Sequence, residues 1–182
     1  MRDPATIFQR GATLFALSAF LYAGAFAQDA PKLSDPEIAH VAVTANQIDV
    51  NYAAIAKEKS KDKDVLHFAE TMAKDHTGVI KQAVALATKL GVTPMDNAMS
   101  KSLKEGEVKT SKMLRSLSGK AFDKAYIDNE VAYHKAVIDA VKNVLIPQTQ
   151  NAELKNLLVS VSPVLEAHLA HAEMVQKEFA SK

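Results

Sequence analysis

Three histidines lie on inward-reading helical stripes: His76 and His168 interrupt repeats that are otherwise apolar, and His134 lies on a stripe that mixes charge with core. An acid stands beside each. Asp75 precedes His76, Glu130 lies one helical turn before His134, and Glu166 lies two residues before His168, while Asp49 flanks the apolar seam of the first helical segment. Imidazole and carboxylate are the ligands that borderline and hard divalent metals accept when thiolate is absent, and this chain has no cysteine. Inward-facing ligands drawn from several helices are how helical bundles build such centres. The residue types therefore fit zinc, iron or manganese. A single histidine on an apolar face is more often a core residue hydrogen-bonded to an acid or hydroxyl, so the metal reading depends on the three sharing one level.

The elements that must bring them there read as five helices. Ser34-Asp35-Pro36-Glu37 supplies a cap, an early proline and a first-turn acid, and Gln28 to Leu33 before it reads as a flexible lead. Helix 1 then carries Ile38, Val41, Ala45, Ile48, Tyr52 and Ile55 at three-four spacing up to a charged turn from Lys57 to Asp64. Helix 2 repeats the pattern with Val65, Ala69, Met72, His76, Val79, Ala83, Leu86 and Leu90, and stops at Gly91. Helix 3, Asn97 to Leu117, has a weaker seam and is closed by Gly119. Helix 4, Lys120 to Leu145, sets Phe122, Tyr126, Tyr133, Val137 and Val144 beside a mixed stripe of Asp123, Ile127, Glu130, His134, Ile138 and Val141. After Pro147, helix 5 carries Leu154, Leu158, Val161, Leu165, His168, Ala172, Val175 and Phe179. Pro163 inside it predicts a kink or break, with Ser162 capping the second part. Short connections make successive helices antiparallel, which gives an all-α, up-down four-helix bundle with an additional fifth helix, helix 3.

At about 1.5 Å of rise per residue, His76 and His134 both lie roughly 21 Å from one end of this bundle, and His168 falls within a turn or two of them. Helix 1 reaches that height between Ile48 and Tyr52, so Asp49 is the acid best placed to join. His76, His134 and His168 are the candidate ligands, with Asp49 or Glu130 completing the shell. Adjacent helical positions point about 100° apart, which casts Asp75 as an outer partner rather than a ligand. Asp123 and Glu166 are further oxygen donors. Glu37-x-x-His40 has a bundle metal spacing but lies in the first turn, where Glu37 reads as a capping acid. His171 reads as a solvated residue rather than a fourth ligand, His67 as surface, and Tyr52, Tyr126 and Tyr133 as core residues with satisfied hydroxyls.

Composition narrows the alternatives. A chain of 182 residues with 48% hydrophobic and 24% charged residues suits one domain, and six glycines, six prolines, no tryptophan and 6% aromatics favour helices over a β-sandwich. Arg2 and Arg10 precede an uncharged run from Gly11 that ends in Ala25-Phe26-Ala27, the pattern of a cleaved export signal over residues 1–27. The run is short for a membrane span, and no second run approaches one. The mature domain then spans 28–182. The 22 basic and 21 acidic residues lose Arg2, Arg10 and Asp3 with the signal, leaving 20 of each, so there is no basic footprint for nucleic acid. Export without cysteine suits the periplasm. There is no Gly-rich phosphate loop, nucleophile elbow or His-Glu-x-x-His, which excludes kinase, dinucleotide and hydrolase readings. Neutral charge leaves room for a homo-oligomer, with no stripe that marks its face.

Phe68-Ala69-x-x-Met72-x-x-Asp75-His76, Phe122-Asp123-x-x-Tyr126 followed by His134, and Pro163 followed by His168-Leu169 resemble the bacterial family called domain of unknown function 4142. Asp49 stands where that family commonly carries an acid. The resemblance spans nearly all of the mature chain and implies an exported bundle placed with the ferritin-like folds, in the periplasm or associated with the outer membrane. It implies no reaction or cofactor. A carboxylate-bridged di-iron site wants two Glu-x-x-His motifs and two more glutamates, whereas this chain offers Asp75-His76, Glu130-x-x-x-His134 and Glu166-x-His168, so iron oxidation does not carry over. Two readings follow. One is a periplasmic bundle with a divalent-metal His/Asp layer; the other is a non-enzymatic structural or stress-protective envelope protein whose histidines form a hydrogen-bonded core network.

Overall fold

A computed structural model describes residues 32–181, and these form an all-α helical bundle. The export signal expected over residues 1–27 lies outside the described residues. Helix α1 (Asp35–Lys59) begins where the Ser34 amide and hydroxyl both donate to Glu37 Oε2, at 2.8 and 2.6 Å, which makes Glu37 a capping acid as the spacing predicts. Helix α2 (Lys63–Leu90) starts on the Asp62 carboxylate, which accepts from the amides of Asp64 and Val65, and ends at Gly91 with φ +63°, a backbone that glycine adopts without strain. Helix α3 (Ala98–Ser116) is capped by Asn97, whose side chain accepts from the Ser100 amide. Helix α4 (Gly119–Ala140) continues through a π-helical turn (Val141–Leu145) into a short segment (Ile146–Gln148), and helix α5 (Ala152–Ser181) closes the bundle.

Side-chain contacts fix the directions. Ser60 donates to Asp123 and Tyr133 to the Ala45 carbonyl, so α1 and α4 are antiparallel; Phe68 meets His171 and Asp75 meets His168, so α2 and α5 are as well. These four helices are the core bundle. Helix α3 lies outside it along α1 and runs in the same direction, with Asn97 bonded to the Glu37 carbonyl, Asn51 to Glu107, and Lys59 to the Arg115 carbonyl. Among the described residues no helix is long and apolar enough to cross a membrane.

Several local expectations need correction. Helix α5 runs through Pro163, so of the expected kink or break the break does not occur. The Ser162 hydroxyl bonds back to the Leu158 carbonyl at 3.0 Å instead of capping a new helix. Proline removes the donor to Val159, and both residues are exposed, so the freed carbonyl is not left in an apolar interior. Gly119 does not close α3 but opens α4 with φ +54°. Leu33 is no flexible lead: it is buried, and its amide donates to Gln148 Oε1 at 2.6 Å.

The core is divided in two. One apolar cluster gathers Ile48, Tyr52, Val65, Phe68, Met72, Phe122, Tyr126 and Val175, and the other gathers Ile38, Val41, Val141, Leu145, Leu154, Leu158 and Leu165. Between them, on all four core helices, lies a level of polar side chains.

Candidate metal centre

Each core helix sends one group to this level from a position that its apolar seam makes inward-facing or flanks: Asp49 from α1, His76 from α2, His134 from α4 and His168 from α5. Glu130 adds a second carboxyl from α4, one turn before His134. All five are buried, Glu130 fully and His168, the most accessible, at 5%. The three imidazole rings lie 5.0 to 5.7 Å apart between centroids, and one nitrogen of each lies within 4.8 Å of the others. Asp49, Glu130 and His134 form a second such group that shares His134.

Hydrogen bonds on the outer side of each ring decide where its proton sits. Asn46 Nδ2 donates to the Ala42 carbonyl, which turns Asn46 Oδ1 toward His76, so His76 Nδ1–H donates to it at 2.7 Å. His134 Nδ1–H donates to the Glu130 backbone carbonyl at 2.9 Å, and His168 Nε2–H donates to Asp75 Oδ2 at 3.1 Å. An imidazole that gives its proton to an outer acceptor keeps a lone pair on its other nitrogen. Those other nitrogens, His76 Nε2, His134 Nε2 and His168 Nδ1, are buried and have no hydrogen-bond partner. Asp49 Oδ2 lies 3.3 Å from His76 Nε2 and 3.6 Å from His134 Nε2.

Burial sets the charges. Desolvation pulls His76 down to about 3, helped by the neighbouring His168, and it lowers His134 as well, with the Asp49 charge opposing. Both are neutral imidazoles at pH 7. Desolvation raises Asp49, with His134 opposing, and it raises Glu130 well above the usual carboxylate range, where the Asp49 charge adds to the effect. Burial therefore favours the protonated form of Glu130 beside Asp49. The layer presents lone pairs to one another and to a carboxylate with no hydrogen between them, an arrangement that costs free energy unless a cation lies among them. Three imidazole nitrogens without a hydrogen-bond partner and one carboxylate oxygen make a four-donor set of the kind divalent transition metals accept.

The remaining candidates fall elsewhere. Asp75 contacts His168 from outside, as its helical angle requires. Asp123 lies two turns from Glu130 and accepts from Ser60 at 2.5 Å, and Glu166 pairs with Lys142 at the surface. His40 sits near Asp96 at 3.7 Å, His67 is exposed, and His171 packs on the Phe68 ring outside the layer. Tyr133 has a satisfied hydroxyl, but the buried Tyr126 hydroxyl has none, contrary to expectation. Asn46 is the participant that sequence reasoning missed. Its place three residues before Asp49, on the same side of α1, is the signal that points to it.

No curated protein and no solved structure matches this chain. The family model described as Domain of unknown function (DUF4142) matches residues 22–175, and the chain belongs to that family.

Proposed function

We propose that this chain is an exported periplasmic helical bundle that binds one divalent transition metal, of the zinc, iron or manganese class, through Asp49, His76, His134 and His168. The observation that carries the reading is the set of three unpartnered imidazole nitrogens, each with its proton directed outward by a different acceptor. A purely hydrogen-bonded network would place donors on the inner side as well. Asp75 and Asn46 orient His168 and His76. The uncharged run ending at Ala27 and the lack of cysteine support export.

The test is elemental analysis and calorimetric titration of the protein expressed from the full chain without a histidine tag and stripped with chelator. Stoichiometric binding of one ion by the wild type and none by His76→Ala supports the reading. A wild type that binds no zinc, iron(II) or manganese overturns it.

A further inference from the structure

The layer is closed to solvent, so an ion must have a way in, and the three outer acceptors differ in what they offer. The Glu130 carbonyl is backbone within α4. Asn46 is a neutral amide with its Oδ1 and Nδ2 both engaged. Asp75 carries a charge, is 36% exposed along its side chain, and bonds directly to His168, the ring that is least covered of the three. Among the described residues, Asp75 is the carboxylate that both touches a layer histidine through its side chain and reaches water.

Asp75 also ends a polar track. His67, Thr71 and Asp75 follow one another at four-residue spacing on α2, a stripe roughly 12 Å long at the helical rise. Opposite them on α5 stand His171 and, one turn inward, His168. His67 is exposed and His171 half-buried, with their rings 5.9 Å apart across the seam, and the Phe68 ring lies 5.1 Å below His171 as an apolar floor. The Thr71 hydroxyl donates to the His67 carbonyl and leaves its lone pairs open to the stripe.

We propose that divalent ions enter and leave the layer through the α2–α5 seam, by way of the Asp75 carboxylate and the His168 ring, with His67 and His171 as the outer capture pair. This deepens the metal reading and rests on it. Asp75 takes the ion from water by charge, and the His168 ring, hinged on the same carboxylate, swings outward to receive it and returns with it to His76, His134 and Asp49. No bond other than metal–ligand bonds is made or broken, and no proton need leave His168, whose Nε2–H stays on Asp75.

The experiment is stopped-flow loading of cobalt(II) into the chelator-stripped full-chain protein, followed by unloading to excess chelator, for wild type, Asp75→Asn and the double variant His67→Ala with His171→Ala. Asparagine keeps an oxygen acceptor for His168 and removes only the charge. A residue on the route lowers the barrier in both directions, whereas one that merely holds the bound ion slows its escape. Asp75→Asn is therefore expected to load and unload about tenfold more slowly, and to lose the salt dependence that the wild-type loading rate shows. The double variant is expected to load a few times more slowly. Faster unloading from Asp75→Asn, or loading at the wild-type rate, overturns the route while leaving the metal reading intact. A wild type that holds no cobalt, zinc, iron(II) or manganese at equilibrium overturns both.

Discussion

The polar layer and the two apolar clusters that enclose it are built on the same four helices with the same three-four spacing, yet they obey opposite rules. In the clusters each inward position is hydrocarbon, and burial of residues such as Phe122 and Leu158 is itself the stabilising contribution. In the layer five ionisable groups are as deeply buried, and six of their nitrogen and oxygen atoms have no partner. Burying polar atoms unsatisfied costs stability. The clusters therefore hold the fold, and the layer draws on what they supply in order to keep a donor set poised.

Substitutions can break that contrast from either side. The largest effect is expected in the clusters: Phe122→Ala should lower the unfolding free energy by about 3–5 kcal/mol in urea titrations while leaving metal stoichiometry of the folded fraction at one. Next, His76→Ala should weaken metal binding by more than about a hundredfold in calorimetry, beyond the loss typical of an outer partner, while its metal-free stability changes by less than the Phe122→Ala loss. A metal-free His76→Ala protein that unfolds as readily as Phe122→Ala would erase the distinction between layer and cluster.

Proton linkage sharpens it further, because the layer contributes pH slopes of opposite sign. His76 titrates lower in the folded state than its ordinary value near 6.5, so the unfolded chain binds the extra proton and metal-free stability falls as pH drops from about 6.5 toward 3. Glu130 titrates higher than its ordinary 4.5, so the folded state binds the extra proton, and its contribution is full below 4.5 and lost as pH rises through its elevated value. Relative to Glu130→Gln, the wild type should lose stability as pH increases above 4.5; urea midpoints between pH 4 and 8 give the comparison, and parallel curves would contradict it. The smallest effect is expected from Glu166→Ala, which breaks a surface pair with Lys142 and should change stability by less than about 1 kcal/mol, with metal affinity unaltered.

Much of this was legible from residue order because a helix converts sequence separation into height. His76, His134 and His168 meet at one level as the helical rise predicts, and Asp49 meets them from α1. Asp75 is an outer partner for the reason its neighbour faces inward. What residue order could not give was set by contacts between helices. Asp123 and Glu166 are acids near the right height whose partners, Ser60 and Lys142, come from other segments and draw them away. Asn46 carries no charge to attract notice, and its role exists only because α2 brings His76 against it. Pro163 shows the reverse: the lost hydrogen bond is real, but it falls on a solvent-facing stripe where the freed carbonyl stays accessible to solvent, and the helix does not break there.

The one-group-per-helix origin of the layer has a consequence for how the chain is tied together. With no cysteine it has no disulfide, and its four core helices are joined by turns, packing and pairwise side-chain bonds such as Ser60–Asp123 and Asp75–His168. An ion held by Asp49, His76, His134 and His168 would be a single knot joining four distant stretches of chain, closing three loops at one point and restricting the unfolded ensemble wherever it stays bound. Loss of the ion would then slacken all four helices together rather than one, while the apolar clusters keep the bundle folded.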